Sequence, residues 1–197
     1  MVEQTIINVK DKIRDVVDFP KKGIVFRDIT TALKDAETLK VMIDYLCEQF
    51  KDVKIDYIAG IESRGFIFGM PMAYKLSAGF VPIRKPNKLP AATYSEEYAL
   101  EYGTDKIEVH QDAFPQGANV LIVDDLLATG GTAEAACKLV KKTGANLVGI
   151  AFLIELEALK GREKGLLRYI CQDFLPEDIQ TVSKMAIRGK TGYIPVE

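Results

Sequence analysis

The chain has 197 residues, of which 48% are hydrophobic and 27% charged, and its formal net charge is -2. A near-neutral chain of ordinary composition is a poor candidate for general nucleic-acid or membrane-surface binding, although it can contain a locally basic pocket. No apolar run approaches the roughly 18 residues of a membrane span, and the opening residues lack the pattern of a signal peptide. We therefore expect a single domain, residues 1–197, in the cytoplasm.

The first elements predicted along the chain are two amphipathic helices. Apolar residues at helical spacing between residues 6 and 17 predict the first helix, which ends before Pro20. The same spacing predicts a second helix over residues 39–50. Between them lies the stretch Gly23-Ile24-Val25-Phe26-Arg27-Asp28-Ile29, whose Val25-Phe26 pair alone would suggest ordinary core packing.

From residue 55 onward, strand-like and helix-like segments alternate. This alternation is the pattern of right-handed βαβ units around a parallel sheet with helices on both faces. A further strand is predicted at Leu166–Cys171, and the tail over residues 172–197 has no assigned role. The alternating segments are strands at Ile55–Ile61, Phe80–Arg84, Val120–Val123 and Leu147–Ile154, with helices at Phe66–Leu76 and Ala133–Thr143.

One segment, residues 85–116, interrupts this alternation. An insertion of this length in a compact domain is usually a functional lid or a disordered loop. Its composition favours a flexible lid, because prolines break regular structure and the tyrosines offer contacts to a ligand. The residues concerned are Pro86, Pro90, Tyr94, Tyr98, Tyr102 and the turn Gly103-Thr104-Asp105.

Residue types that bind metals or react with oxidants are sparse. The single histidine, His110, is expected to end a lid strand and to have a structural role. The three cysteines, Cys47, Cys137 and Cys171, are far apart and odd in number. We therefore expect reduced, buried thiols in a cytosolic chain and no disulfide framework.

The strongest chemical signal runs from Val120 to Thr132. An apolar strand leads directly into Asp124 and Asp125, whose adjacent carboxylates repel each other and need a partner such as ribose hydroxyls or a cation. The loop Ala128-Thr129-Gly130-Gly131-Thr132 follows and then a helix begins, so free N–H groups and hydroxyls can surround an anion. Ligands of open α/β sheets bind at this end of the strands.

This stretch closely resembles the motif with which type I phosphoribosyltransferases bind PRPP (5-phosphoribosyl 1-pyrophosphate). The resemblance implies that Asp124 and Asp125 hold the ribose hydroxyls, and that the loop over residues 128–132 holds the 5′-phosphate. It also implies a parallel-sheet core with helices on both faces and a flexible lid, or hood, loop.

A second signal, Glu62-Ser63-Arg64-Gly65, follows the first strand of the sheet. Ser63 can cap the next helix and Arg64 can bind an anion through two hydrogen bonds, although a surface arginine at a helix start is a common feature. In this context the stretch resembles the family's pyrophosphate-binding loop. Arg84 and Lys85, which end the next strand, would add positive charge, and Mg²⁺ would be held mainly through PRPP.

Two further stretches, residues 23–29 and 98–103, resemble the adenine-specific members of this family. The resemblance implies that Phe26 stacks on the purine, while main-chain groups of Val25 and Arg27 bond N6 and N1. It also implies that Glu101 is the lid carboxylate that acts as general acid or base, and that the protein is a homodimer. One residue departs from the family pattern, since Asn87 replaces a glycine in a turn; asparagine tolerates the positive φ that such a turn requires.

The sequence therefore predicts an enzyme that converts adenine and PRPP to AMP and pyrophosphate. Two alternatives stay open at this point. An oxo-purine could be the base, although it would need a donor opposite its C6 oxygen. The chain could also be a PRPP-sensing regulator, although such a protein usually carries a DNA-binding module with a basic face.

Overall fold

A computed structural model of the chain describes residues 9–99 and 103–163, so Glu101, the predicted strand Leu166–Cys171 and the tail 172–197 lie outside the described residues. The described residues form two compact units, residues 9–45 and the remainder from residue 46. A single domain over the whole chain stays a prediction. Within the described ranges, no helix is long and apolar enough to cross a membrane.

The first unit is built around a two-stranded antiparallel ribbon. The helix predicted over residues 6–17 is wrong in its second half, because only residues 9–12 are helical among those described and residues 14–17 form a strand. The β-branched Val16 and Val17 favour an extended backbone, and they pair with Phe26 and Val25 across the ribbon. The elements here are β1 (Arg14–Val17), β2 (Val25–Asp28) and α1 (Thr30–Leu33).

The second predicted helix, α2 (Ala36–Gln49), begins three residues before the predicted start at Leu39. The carboxylate of Asp35 accepts hydrogen bonds from the backbone N–H of Thr38 at 2.9 Å and from its hydroxyl at 2.6 Å. These bonds satisfy donors that the first turn of a helix leaves unpaired. The thiol of Cys47 is buried in this helix, as predicted, and that of Cys137 is buried in a later helix.

The second unit contains the predicted parallel sheet. Its strands are β3 (Tyr57–Ile61), β4 (Gly79–Ile83), β7 (Asn119–Leu127) and β8 (Asn146–Glu155). They lie in the order β4-β3-β7-β8, and every neighbouring pair is parallel. β7 extends beyond its predicted end at Val123, since Leu126 and Leu127 still pair with β8.

Two helices cover opposite faces of this sheet. Gly69 of α3 (Arg64–Lys75) lies close enough to Ile58 that a Cβ there would be 3.5 Å from its methyl group. The apolar face of α4 (Gly131–Lys142) instead belongs to a core cluster with Ala59. Since consecutive residues of a strand point to opposite faces, the two helices lie on opposite sides, and the predicted architecture is confirmed.

The predicted lid segment contains two antiparallel strands of a hairpin, β5 (Thr93–Ala99) and β6 (Thr104–His110). Its inward side chains Tyr98, Ile107 and Val109 are buried in the core cluster of the sheet. Both strands of the hairpin are therefore packed against the core, which the prolines and tyrosines of the sequence did not indicate. His110 ends β6, as predicted.

One local prediction about a turn can be compared with the backbone. Asn87 has φ +64°, so the asparagine occupies the positive-φ position that we predicted for it. Beyond β8, two short 3-10 helices, Glu157–Leu159 and Gly161–Glu163, end the described part of the chain.

Candidate active site

The carboxyl ends of parallel strands meet at one edge of a sheet, and most of the predicted functional residues lie at that edge. β3 lies between β4 and β7, so the loops that follow these three strands are neighbours. The predicted residues there are Ser63 and Arg64 after β3, Arg84 and Lys85 after β4, and Asp124, Asp125, Ala128, Thr129, Gly130, Gly131 and Thr132 in or after β7.

The two acids of β7 are in an environment that disfavours their charges. Asp125 is buried and Asp124 is half-buried. Burial raises the pKa of Asp124 well above its ordinary value, and the negative charge of Asp125 raises it further. Burial also raises the pKa of Asp125, although the guanidinium of Arg64 opposes that effect. A ligand that donates hydrogen bonds to these carboxylates would stabilise them.

The pyrophosphate loop predicted after β3 is in direct contact with this acid pair. Arg64 Nε lies 2.8 Å from Asp125 Oδ2. A Cβ on Gly65 would lie 2.5 Å from the carbonyl oxygen of Val123 and 3.1 Å from Asp124 Oδ1. Only a glycine allows this approach, so the structure brings the two predicted PRPP-binding stretches together through Arg64 and Gly65.

The loop that follows β7 has the geometry of an anion-binding turn. Gly130 adopts φ +82°, a left-handed conformation that glycine adopts without strain, and α4 begins at the next residue. The first N–H groups of a helix have no acceptor within it and carry partial positive charge. Thr129 is exposed, so its hydroxyl is accessible from solvent. This arrangement suits a phosphate group.

After β3 the predicted helix cap is absent, and after β4 the predicted basic residues have an acidic partner. Ser63 stands at the N-cap position of α3, but its side chain makes no capping hydrogen bond there. Arg84 donates to Glu62 from Nε at 3.1 Å and from Nη2 at 3.3 Å, while the backbone N–H of Lys85 donates to the same carboxylate at 2.9 Å. Despite burial, these contacts hold the pKa of Glu62 below its ordinary value.

Lys85 contacts the hairpin near its turn, where Tyr98 pairs with Asp105. Its Nζ forms an ion pair with Asp105 and donates to the hydroxyl of Tyr98 at 2.7 Å. Burial alone would lower the pKa of Lys85, but these two hydrogen bonds outweigh burial and raise it. Lys85 is therefore a cation that joins the end of β4 to the predicted lid.

In the first unit, the stretch predicted to bind the base is part of β2. Within the described residues β2 pairs with β1 alone, so its other edge can offer backbone N–H and C=O groups to a ligand. Phe26 is half-buried and its ring stands edge-on to Phe19, with centroids 5.3 Å apart. Arg27 forms an ion pair with Asp15, which fixes its side chain.

A carboxylate at the end of β2 fixes this ribbon. Asp28 accepts hydrogen bonds from the backbone N–H of Thr30 at 2.9 Å, from its hydroxyl at 2.6 Å and from Arg14 Nε at 3.0 Å. The hydroxyl of Thr30, followed by Arg14, lowers the pKa of Asp28 to about 2. Asp28 therefore stays ionised at neutral pH and holds β1 and the turn after β2 in register.

Sequence reasoning did not identify Glu62, Asp105 and Asp28 as partners of the site residues. Glu62 and Asp28 stand within the stretches that carried the predictions, so acids beside basic residues were the available signal. Asp105 was predicted only as part of a turn, and it lies 20 residues from Lys85. Ion pairs between residues this distant in sequence can be identified only once the pairing of the strands is known.

The site also offers ligands suited to Mg²⁺. Carboxylate oxygens are the donors that this cation prefers, and Asp124 and Asp125 supply them beside the predicted phosphate loop. Among the described residues there is no group of three or more His, Cys, Asp or Glu side chains that could hold a metal. The acid pair fits a cation that is shared with phosphate oxygens of a ligand.

Comparison with known proteins agrees with this geometry. Residues 30–183 match the family described as "Phosphoribosyl transferase domain". The adenine phosphoribosyltransferase of Crocosphaera subtropica is 61% identical over 160 residues, which cover 80% of this chain and 93% of that protein.

Two solved structures are similar as well. The adenine phosphoribosyltransferase of Thermoanaerobacter pseudethanolicus is 54% identical with a TM-score of 0.78, covering 80% of this chain and 92% of that one. The enzyme of Saccharomyces cerevisiae, complexed with adenine and an imino-altritol bisphosphate, is 43% identical with a TM-score of 0.78, covering 82% and 94%. The chain therefore belongs to the phosphoribosyl transferase family and, within it, to the adenine phosphoribosyltransferases.

Proposed function

We propose that the chain transfers the phosphoribosyl group of PRPP to adenine and releases AMP and pyrophosphate. The observation that carries the proposal is the acid pair Asp124–Asp125 at the end of β7, followed at once by a glycine turn and a helix N-terminus. This order places acceptors for a diol beside donors for a phosphate, and ribose 5-phosphate contains both groups. Family membership supports the same reaction.

In the proposed reaction, N9 of adenine attacks C1′ of the ribose as the bond to pyrophosphate breaks. Asp124 and Asp125 accept hydrogen bonds from the ribose hydroxyls, and residues 128–132 bind the 5′-phosphate. Arg64 and Ser63 bind the pyrophosphate, with Arg84 and Lys85 adding positive charge nearby. Mg²⁺, held mainly through PRPP, supplies further positive charge that offsets the charge of the leaving group.

Adenine recognition is proposed for the exposed edge of β2. Adenine presents a donor at N6 and an acceptor at N1, and main-chain groups of Val25 and Arg27 supply the complementary pair. Phe26 stacks on the purine ring. Glu101, which lies outside the described residues, manages the purine proton as general acid or base, and a closing lid over residues 85–116 excludes the water that would trap a ribosyl cation.

We further propose a cytoplasmic homodimer. Cys47 and Cys137 are buried thiols that are not joined in a disulfide, which supports a reducing compartment. On α3, Ile67, Met70 and Tyr74 follow one helical face and are 41%, 53% and 88% exposed. An apolar stripe of this kind is typical of a surface that a second copy of the chain covers.

An assay of the purified chain with PRPP and a panel of bases tests the proposed reaction. We expect adenine to exceed hypoxanthine and guanine in kcat/KM by a factor on the order of 10⁴, because an oxo group sets acceptor against acceptor in a buried site. Similar values for adenine and guanine would contradict the adenine assignment only. PRPP binding with no turnover of any base would instead favour the PRPP-sensing regulator.

A further inference from the structure

The segment after β8 packs against the start of the phosphate loop. The backbone N–H of Leu156 donates to the carbonyl of Leu127 at 2.9 Å. A Cβ on Gly161 would overlap the carbonyl oxygen of Ala128 and would lie 3.1 Å from the side chain of Leu127. Residues 156–161 therefore contact the backbone from which the loop 128–132 departs.

An ion pair between a buried carboxylate and a partly exposed arginine holds this segment in place. Glu155 ends β8 directly opposite Leu127, and its side chain is 6% exposed. Arg162 Nε lies 2.8 Å from each of the two oxygens of that carboxylate. The ion pair thus closes residues 155–162 into a short loop, in which Gly161 faces Ala128.

Stability alone does not explain a pair of this kind. Removing the Glu155 carboxylate from water costs several kcal/mol, and apolar residues of similar volume often stabilise a fold equally well. What the pair adds is a fixed position for the residues between its members. The loop next to it needs such support, because glycines such as Gly130 leave its backbone otherwise free to move.

We propose that Glu155 and Arg162 are positioning residues for PRPP, which hold Gly161 against the carbonyl of Ala128 and so fix the loop that receives the 5′-phosphate. The inference rests on the proposed function, in which residues 128–132 bind that phosphate. The backbone donors of this loop must converge on one anion, and a misplacement of about 1 Å can cost about 100-fold in rate. Neither side chain needs to touch PRPP for this effect.

The test compares Arg162→Met with Arg162→Lys and Glu155→Gln. We expect Arg162→Met and Glu155→Gln to raise the KM for PRPP and the Kd for ribose 5-phosphate about 10-fold or more, while the Kd for pyrophosphate stays unchanged. Arg162→Lys keeps the charge and should recover part of the affinity. Lys51→Met removes a surface ion pair with Glu48 and is the matched control.

A purely structural role gives a different result. If the ion pair only stabilises the fold, the variants lower the melting temperature and, because fewer molecules are folded, the apparent kcat. The KM of the molecules that stay folded is then unchanged, and that outcome would overturn the proposal. If the charge variants fail to fold, Gly161→Ala tests the same contact, because its methyl group presses on Ala128. Normal affinity for ribose 5-phosphate in Gly161→Ala would also overturn it.

A loop variant separates this inference from the proposed function. If Thr129→Ala leaves the Kd for ribose 5-phosphate unchanged, the phosphate does not bind at this loop and the proposed site is wrong. If Thr129→Ala weakens that binding but Arg162→Met, Glu155→Gln and Gly161→Ala do not, the site is right and the positioning role is wrong.

Discussion

The carboxylates of Asp124 and Asp125 are the residues on which the proposed binding of ribose depends most directly. Each carboxylate already has one partner within the protein: Arg64 pairs with Asp125, and Asp124 Oδ1 accepts a hydrogen bond from the backbone N–H of Asp125 at 2.9 Å. Both acids occupy a place where burial raises the pKa, so folding alone does not favour them there.

We expect Asp124→Asn and Asp125→Asn each to raise the KM for PRPP or lower kcat. Each substitution removes charge-assisted hydrogen bonds worth about 1.5–3 kcal/mol, or very roughly 10–100-fold. Steady-state kinetics with PRPP as the varied substrate measures the effect. Asp52→Asn, on an exposed residue after α2, is the control, and unchanged kinetics in both active-site variants would refute the ribose-binding role.

The raised pKa of Asp124 predicts how the stability of the protein depends on pH. A carboxyl whose pKa is higher in the folded than in the unfolded chain stabilises the fold below its ordinary pKa of 3.8. This contribution is lost as the pH rises through the folded pKa. Asparagine at position 124 is neutral at every pH and its oxygen can keep the hydrogen bond from Asp125. We therefore expect Asp124→Asn to melt at a higher temperature than the wild type at about pH 8, with a smaller difference at about pH 4.

Thermal melts over this pH range check the sign. A variant that is less stable than the wild type at about pH 8 would mean that Arg64 stabilises ionised Asp124 more than burial and Asp125 disfavour it. Asp35→Asn is a contrasting variant, because the hydroxyl of Thr38 lowers the pKa of Asp35. Loss of the Asp35 charge should lower the melting temperature at neutral pH, and the difference from the wild type should be smaller in acid.

At the scale of elements, the sheet was predictable and the ribbon and hairpin were not. Strands β3, β4, β7 and β8 have apolar runs that end in glycine or charge, so local sequence indicates them. The first helix was mistaken because residues 14–17 share a spacing that fits either structure, and only pairing with β2 decides between them. The hairpin likewise depends on packing between distant residues, since Tyr98 and Ile107 reach a core formed mostly by the sheet together with α4.

The hairpin carries the proposed lid, and its contacts divide it into two parts. Ile107 and Val109 are fully buried, and Lys142 of α4 donates to the carbonyl of Ser95 at 3.1 Å. We expect hydrogen exchange in these packed strands to be slow without ligand. Saturating Mg²⁺–PRPP with a purine analogue should add protection mainly over residues 99–104, and more than over α2.

The lid carboxylate has its own test. Glu101→Ala should lower kcat while PRPP affinity stays nearly unchanged, because the contact of Glu101 would form mainly after closure. Glu97→Ala, on an exposed residue of β5, is the matched control. A normal kcat for Glu101→Ala, or equal exchange with and without ligand, would show that the lid role is wrong.

At the scale of the whole molecule, assembly is the proposal that the sequence alone supports least. The exposure of Met70 and Tyr74 became visible only once α3 was placed on the sheet, because helical spacing does not say which apolar face is covered. We expect Met70→Glu to convert a dimer to a monomer, because a charge would be buried in the interface. Sedimentation velocity measures the change, with Lys51→Glu as the control. A wild-type monomer at micromolar concentration would contradict the homodimer.

The contact between Gly65 and the end of β7 has a consequence for the length of the substrate. In PRPP the leaving group is attached to the carbon next to the one that bears the 2′-hydroxyl, so the two groups are only a few bonds apart. Two loops can bind such closely spaced groups only if no side chain separates them. Gly65 meets this condition, because a Cβ at its position would lie only 2.5 Å from the carbonyl oxygen of Val123. The spacing between the two loops therefore suits a sugar that carries its leaving group directly, and an analogue with an inserted linker would be too long for it.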